Sequence, residues 1–516
     1  MRAIDLLENG MQRARDAICV IDEQTSLTHA QVLEMSHRVA NGLVNAGLTR
    51  GSRVAVYSGN VAFALVAMVG LLRAGAVWLP VQTRNPLAEN IDFLIENSCE
   101  FVFFHSSYTA DVQRLQKEVK SIKAMVCLNQ DCLGAQAFDT WLRDQGEHFP
   151  DDLHGPEDLA WVKGTGGTTG RPKSVMICHR NAEALFANFS LCMPLDIPHV
   201  NLAAVPLTHG AGNIALATLF TGGTVVVLDR PDPDKILRAI KKHRVTTMFL
   251  PPTVIYNLLA TPDIKTHDFS SLAYFIYSAA PMSAQKLKEA LEVFGPVMTQ
   301  AWGQTEAPLI CTFMSPADHM LDDPEALAVR LKSCGRPSPL TRVAVMDDEG
   351  NLLEVHQKGE LVVRGNLVMK GYRDRPAENE AASRFGWHHT GDVGYMDEDG
   401  FFYIVDRKKD MIISGGFNIF PSEIEQVLWT HPAVLDCAVI GVPDDKWGEA
   451  VKAVIEFKPG QAASEEELKA YCRNSLGGLK TPKSVEIWAS LPRSSVGKVL
   501  KREIREVFWK EQERRV

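Results

Sequence analysis

Short β-branched runs alternating with helical patterns set the strongest limit on how this chain can fold. Arg53-Val54-Ala55-Val56-Tyr57 is followed by an apolar run from Val61 to Leu72, and then by Ala76-Val77-Trp78-Leu79-Pro80-Val81. The same order returns at Thr224-Val225-Val226-Val227-Leu228, at a helical pattern from Pro233 to Lys242, and at Thr246-Thr247-Met248-Phe249-Leu250. That rhythm predicts an α/β fold, with parallel sheets covered by helices. The run from Val61 is stopped by Arg73 and Gly75 before reaching the roughly 20 residues a membrane span needs, so it reads as a buried helix.

From Arg342 to Met346, and again from Gly359 to Arg364, the runs lose their intervening helices. A small antiparallel or barrel-like part is expected there, closing a large domain. At 516 residues the chain is too long for one ordinary core. The change of domain is placed at Asp406-Arg407-Lys408-Lys409-Asp410, a charge run after the apolar strand Phe401 to Val405. This gives an N-terminal domain 1–406 and a smaller C-terminal α+β domain 407–516. Beyond the boundary, Met411 to Asn418 reads as a hairpin, and Pro421 to Leu428 as a helix with proline and acids in its first turn.

Charge narrows the partners. With 63 acidic against 54 basic residues, a net charge of −9 gives no general attraction for nucleic acid or an anionic membrane. Anionic substrates must be met by local cations. The ten cysteines include no Cys-x-x-Cys pair, and the closest are Cys127 and Cys132, so neither a zinc site nor a disulfide framework is suggested. Reduced thiols in a cytoplasmic protein are the plain reading. Met1-Arg2-Ala3-Ile4-Asp5 lacks the charged-then-apolar build of a signal peptide, and no export is expected.

Local cations and phosphate-binding groups concentrate in Thr165-Gly166-Gly167-Thr168-Thr169-Gly170-Arg171-Pro172-Lys173. Glycines let backbone N–H groups turn toward a polyanion, threonine hydroxyls add donors, and Lys173 supplies a mobile positive charge. The spacing is not that of the P-loop. Alone, the stretch would serve equally as a flexible surface loop. Downstream, Gln300-Ala301-Trp302-Gly303-Gln304-Thr305-Glu306 offers a flat aromatic for adenine, a hydroxyl for an α-phosphate and a carboxylate for Mg²⁺. In Thr390-Gly391-Asp392 the carboxylate can accept two ribose hydroxyls. Pro492-Arg493-Ser494-Ser495-Val496-Gly497-Lys498 places a single lysine near the end.

In order and along nearly the whole chain, these motifs resemble the adenylate-forming superfamily in its acyl-CoA synthetase branch. The resemblance implies ATP, Mg²⁺ and CoA as cofactors and co-substrates, and a small carboxylic acid as the substrate. An acyl-adenylate and pyrophosphate form first, and the thioester follows. Lys498 would reach in from the small domain and bond both the acid and the nucleotide. Thr305 and Lys173 would meet phosphate, Glu306 would hold Mg²⁺, and Gln300, Ala301 and Trp302 would line the adenine site. Trp302 stands where the family more often has Tyr. Asp392 and Arg407 are assigned to the ribose, with Lys409 at the family's hinge. Gly416 would line a pantetheine tunnel that a side chain would obstruct, and Arg230 aligns with a contact to the CoA nucleotide.

On the acyl side, Pro206-Leu207-Thr208-His209-Gly210-Ala211-Gly212 resembles the motif of carboxylate ligases, not the aspartate-bearing motif of amino-acid-activating relatives. His209 would gate or orient the acid, although a packed histidine fits the same sequence. Ala211 and Ala215 are small, and Ser278-Ala279-Ala280-Pro281 closes another wall, so an apolar, roomy pocket for a fatty or aromatic acid is expected. Gly166 and Ser174 depart from the family's usual Ser/Thr and Gly. The first is expected to weaken the grip on nucleotide and the second to stiffen the loop. Two other readings share many of these residues. An adenylate-former could pass its acyl group to a carrier protein or another acceptor, and a non-catalytic nucleotide-binding module would be expected to have lost Lys498 or Glu306.

Overall fold

The computed structural model describes residues 1–150, 155–165, 173–444, 446–493 and 499–509. Gly166, Gly167, Thr168, Thr169 and Gly170 of the phosphate-loop motif, and Lys498, lie outside these residues. The described strands form four sheets.

The expected alternation builds the two large sheets. In one, Leu159–Thr165, Val77–Pro80, Arg53–Tyr57, Phe101–Phe104 and Ala124–Cys127 run parallel in that order. Lys173–Cys178 and Gly371–Tyr372 extend it antiparallel beyond Leu159–Thr165. In the other, Met298–Trp302, Tyr274–Tyr277, Thr247–Leu250, Val200–Ala203, Thr224–Val227 and Ile18–Ile21 are parallel neighbours. Their residues are nearly all buried because helices cover both faces. The apolar run after Val61 forms the helix Ala62–Arg73, buried along almost its whole length. Among the described residues no helix is long and apolar enough to cross a membrane.

Where the intervening helices vanish, Arg342–Met346, Gly359–Arg364, His388–Met396 and Phe402–Arg407 pair as an antiparallel four-stranded sheet. Its last strand reaches further than the apolar run suggested. Asp406 and Arg407 belong to the ladder, opposite Val393 and Asp392. Asp406 is buried and accepts the backbone N–H of Ser422 at 2.7 Å, so this acid caps the incoming helix and is no solvated turn residue. The turn itself is Lys408–Asp410.

Beyond it, Ile412–Ser414 and Phe417–Ile419 form the expected hairpin, and the helix Pro421–Leu428 carries Pro at its start and Glu423 in its first turn. Val434–Asp444, Gly448–Phe457 and Ser484–Ile487 complete the last sheet over a core of its own, centred on Ile424, Val439 and Leu468. Such a separate core supports the division into two domains, and the 406/407 boundary remains an expectation from the charge run. All ten cysteines are free thiols.

Candidate active site

Parallel strands with helices on both sides leave their carboxyl ends as the natural place for a ligand. In the larger sheet that edge gathers most of the motif residues. The segment carrying His209 follows Val200–Ala203, Arg230 follows Thr224–Val227, Ser278-Ala279-Ala280-Pro281 follows Tyr274–Tyr277, and Gly303 to Glu306 follow Met298–Trp302. Ala279 holds φ at +73°, a left-handed conformation that costs a non-glycine residue about 1 kcal/mol or more. Gly303 is required where the next turn doubles back, since a Cβ there would lie 2.7 Å from the backbone of Leu309.

The turn from Trp302 to Glu306 touches two carboxylate-centred clusters. In the first, Asp392 is 3% exposed and accepts from three directions. The Trp302 indole N–H donates to its Oδ2 at 3.1 Å, Gln304 Nε2 donates to the same oxygen at 3.1 Å, and Arg407 Nε pairs with Oδ1 at 2.6 Å. Gln304 also donates to the carbonyl of Thr390 at 2.7 Å. Trp302 is thus buried and anchored through its nitrogen in a way no sequence pattern revealed. Gln300 accepts a hydrogen bond from the Tyr277 hydroxyl at 3.2 Å, and Ala301 is buried between its strand neighbours.

Two residues beyond Gln304, Glu306 forms the second cluster. Tyr372 donates its hydroxyl to Glu306 Oε1 at 2.8 Å, and the ammonium of Lys173 lies 4.8 Å from the centre of the Tyr372 ring. Burial and the Glu306 charge push the Tyr372 hydroxyl far above its ordinary pKa, so it stays a donor. Thr165 and Lys173 are directly opposed at the ends of their antiparallel strands, and thereby bracket residues 166–172. Ser174 next to them is fully buried and accepts from Asn97 Nδ2 at 2.9 Å, which fixes the strand where the family more often has glycine.

A third group surrounds His209. Gln82 Nε2 donates to its Nδ1 at 3.4 Å, and Thr208 Oγ1 stands 3.1 Å from the same atom. An amide N–H only donates, so Nδ1 accepts and the ring proton resides on Nε2. Burial, reinforced by the charge of Lys163, holds the imidazole well below its usual pKa and keeps it neutral. Lys163 and His209 line one recess with Thr165, Thr208, Gln82 and Asn90. Pro80, Val81, Phe93 and the carboxylate Glu89 also line it, while Ala211 and Ala215 are buried in the core. Lys163 itself escaped the sequence reading, since one lysine in a strand of mostly apolar residues looks like an edge position.

The remaining two expected residues stand apart from these clusters. Arg230 is exposed just past its strand. Gly416 turns the hairpin with φ at +82°, and a Cβ built there meets nothing within 4 Å. In this arrangement the glycine is demanded by the turn and not by a neighbour, so the steric argument for a tunnel wall finds no support in it.

Glu306 is suited to Mg²⁺ because its carboxylate is a hard oxygen donor of which one oxygen alone is bonded to Tyr372. No described group of three or more His, Cys, Asp or Glu could hold a metal unaided, which fits an ion bound largely through substrate phosphates and water.

Residues 7–373 match the family described as AMP-binding enzyme, and residues 423–498 match the AMP-binding enzyme C-terminal domain. The chain is 37% identical over 486 residues to a feruloyl-CoA synthase from an Amycolatopsis species, covering 94% of each. Among solved structures, the amide bond synthetase McbA from Marinactinospora thermotolerans has a TM-score of 0.89 at 29% identity, over 98% of this chain and 100% of that one. ATP-bound MatB from Rhodopseudomonas palustris has a TM-score of 0.89 at 29% identity, with 100% of both chains covered.

Proposed function

The chain belongs to the AMP-binding enzyme family, and on that premise we propose that its site joins a fatty or aromatic carboxylic acid to CoA at the expense of ATP. It is an AMP-forming acid–CoA ligase. A carboxylate oxygen attacks the α-phosphorus and pyrophosphate leaves; the CoA sulfur then attacks the acyl carbon and AMP leaves with the bonding pair. The observation that carries this reading is the single turn from Trp302 to Glu306, which reaches the Asp392 cluster and the Glu306–Tyr372–Lys173 cluster at once. A nucleotide with its ribose toward Asp392 and Arg407 would have its phosphates toward Lys173, Thr305 and residues 165–170. Ala279, Ala280 and Pro281 leave the neighbouring strand on the same edge, and Ala301 and Gln300 form the floor of the adenine side.

Glu306 would hold Mg²⁺, which would supply charge neutralisation for the phosphates. The protein's own part is to orient. Tyr372 fixes one oxygen of Glu306, Lys173 lies against Tyr372, and neutral His209 presents its Nε2–H toward the acid. The C-terminal domain brings Lys498 to the reacting oxygens, then turns about Lys409 to admit the thiol along Gly416, with Arg230 at the CoA nucleotide. A cytoplasmic enzyme with ten free thiols is in keeping with this reading.

The test is pyrophosphate release with ATP and Mg²⁺ across short, medium and long fatty acids and benzoic and cinnamic acids, each with and without CoA. Turnover that requires CoA is the expected result. Release indifferent to CoA would assign the acyl group to another acceptor, the case the amide bond synthetase fold makes worth measuring.

The hinge gives a further expected outcome. In the turn after Arg407 the backbone donors with acceptors are Lys408, Asp410 and Met411. Lys409→Pro therefore removes none of these bonds and acts through its fixed φ and its restriction of residue 408. Adenylation should stay within about threefold of the parent, while thioester formation falls by roughly 100-fold, the scale of a misplaced reacting group. Unchanged overall turnover would remove the hinge from Lys409.

A further inference from the structure

Lys163 is a partly buried cation with which no described residue forms an ion pair. It lies in the strand Leu159–Thr165, two residues before Thr165 on the same face, and opens onto the recess it shares with His209. No described residue hydrogen-bonds or ion-pairs with its ammonium, and Glu306 acts on it only through space. Residues 166–172 contain no carboxylate. The other polar groups around the recess are Gln82, Asn85, Asn90, Thr165, Thr208 and the neutral His209, with one carboxylate, Glu89, that makes no ion pair with Lys163. Burial lowers its pKa to about 8, against a smaller opposing effect of Glu306. A charge drawn partly out of water without a bonded partner is costly, and the cost is offset when an anion enters.

Resting on the ligase reading, we infer that Lys163 binds the reacting carboxylate of the acid, holding it between His209 and the phosphate side of the site. The recess favours the acid over the phosphates as the anion. It includes His209 from the acyl motif and the apolar side chains of Val81 and Phe93, whereas the phosphate side has Lys173 as its own cation. The acid then arrives as a carboxylate already charge-paired, with His209 Nε2–H as a second donor, before Lys498 is brought in.

The experiment compares the full-length parent with Lys163→Met, Lys163→Gln and Lys163→Arg. Octanoate and ferulate serve as probes in two measurements: binding by calorimetry without nucleotide, and pyrophosphate release with ATP and Mg²⁺. Loss of one charge-assisted hydrogen bond should weaken acid binding and raise the KM for acid by about 10- to 100-fold. The KM for ATP and kcat should stay within about threefold, and Lys163→Arg should recover most of the loss. Two neutral replacements, one apolar and one polar, guard against a folding defect in either, since removing an unpaired, partly buried charge should not lower the unfolding temperature. An unchanged acid KM with a parent that turns over would overturn the inference and leave the ligase reading standing. So would a matching rise in the KM for ATP, or a loss confined to thioester formation from supplied acyl-adenylate. A parent that binds the acids through Lys163 yet releases no pyrophosphate would do the reverse.

Discussion

Lys498→Ala should lower pyrophosphate release by about 10³-fold or more, while thioester formation from supplied acyl-adenylate falls by less than about tenfold. Two anions approach one another in the first half-reaction, and a positioned ammonium that bonds both supplies electrostatic stabilisation of the kind whose removal costs that much. The second half-reaction has lost the pyrophosphate and needs no such bridge. Lys498 lies outside the described residues; the residues on either side of its segment are held in place. Arg493 and Val499 pair across the segment as an antiparallel bridge, and Leu500 N–H donates to the carbonyl of Pro492 at 2.8 Å. Arg493 is bonded to Asp436 at 2.7 Å and to Glu456 at 3.0 Å. An equal loss in both half-reactions would remove Lys498 from its assigned role.

Glu425→Ala should destabilise the C-terminal domain by about 3–5 kcal/mol, the usual result of breaking a buried ion pair from one side. Glu425 is 4% exposed and bonds Lys501 at 2.8 Å, and its Oε1 also accepts the backbone N–H of Val439 at 2.7 Å. Three elements meet on this carboxylate: the helix Pro421–Leu428, the strand Val434–Asp444 and the helix Lys501–Trp509. Burial works against the charge on Lys501, but Glu425 and Asp406 outweigh it and raise its pKa. Removing Glu425 leaves that partly buried ammonium without its bonded carboxylate and orphans the N–H of Val439 as well. The double variant Glu425→Ala/Lys501→Ala should lose less than the sum of the two single losses in denaturant unfolding. Strict additivity would show that the pair is not coupled.

Much of the fold was legible because parallel strands and the helices between them advertise themselves locally. The strands at Arg53–Tyr57 and Thr224–Val227 and the helix Ala62–Arg73 follow from β-branched runs and unbroken apolar stretches. The antiparallel part was visible as the loss of that alternation. What stayed hidden depends on long-range pairing. Asp406 and Arg407 looked like a solvated charge run because their partners, Ser422 and Asp392, are found only once the ladder and the following helix are in place. The motif residues named the chemistry, yet nothing local joined Trp302 to Asp392 or Glu306 to Tyr372. The left-handed turn at Ala279 and the unbonded ammonium of Lys163 likewise leave no signature, since neither residue type marks such a position.

The tethers on either side of residues 494–498 alter what an activity screen would report. Arg493 is tied to Asp436 and Glu456, and Lys501 to Glu425, so five side chains fix the chain on both sides of the segment that holds the proposed reacting lysine. A library scored by product alone would count all five among the catalysts. Scored for folded protein as well, the same library would return a much smaller reaction centre and, around it, the mounting that aims it.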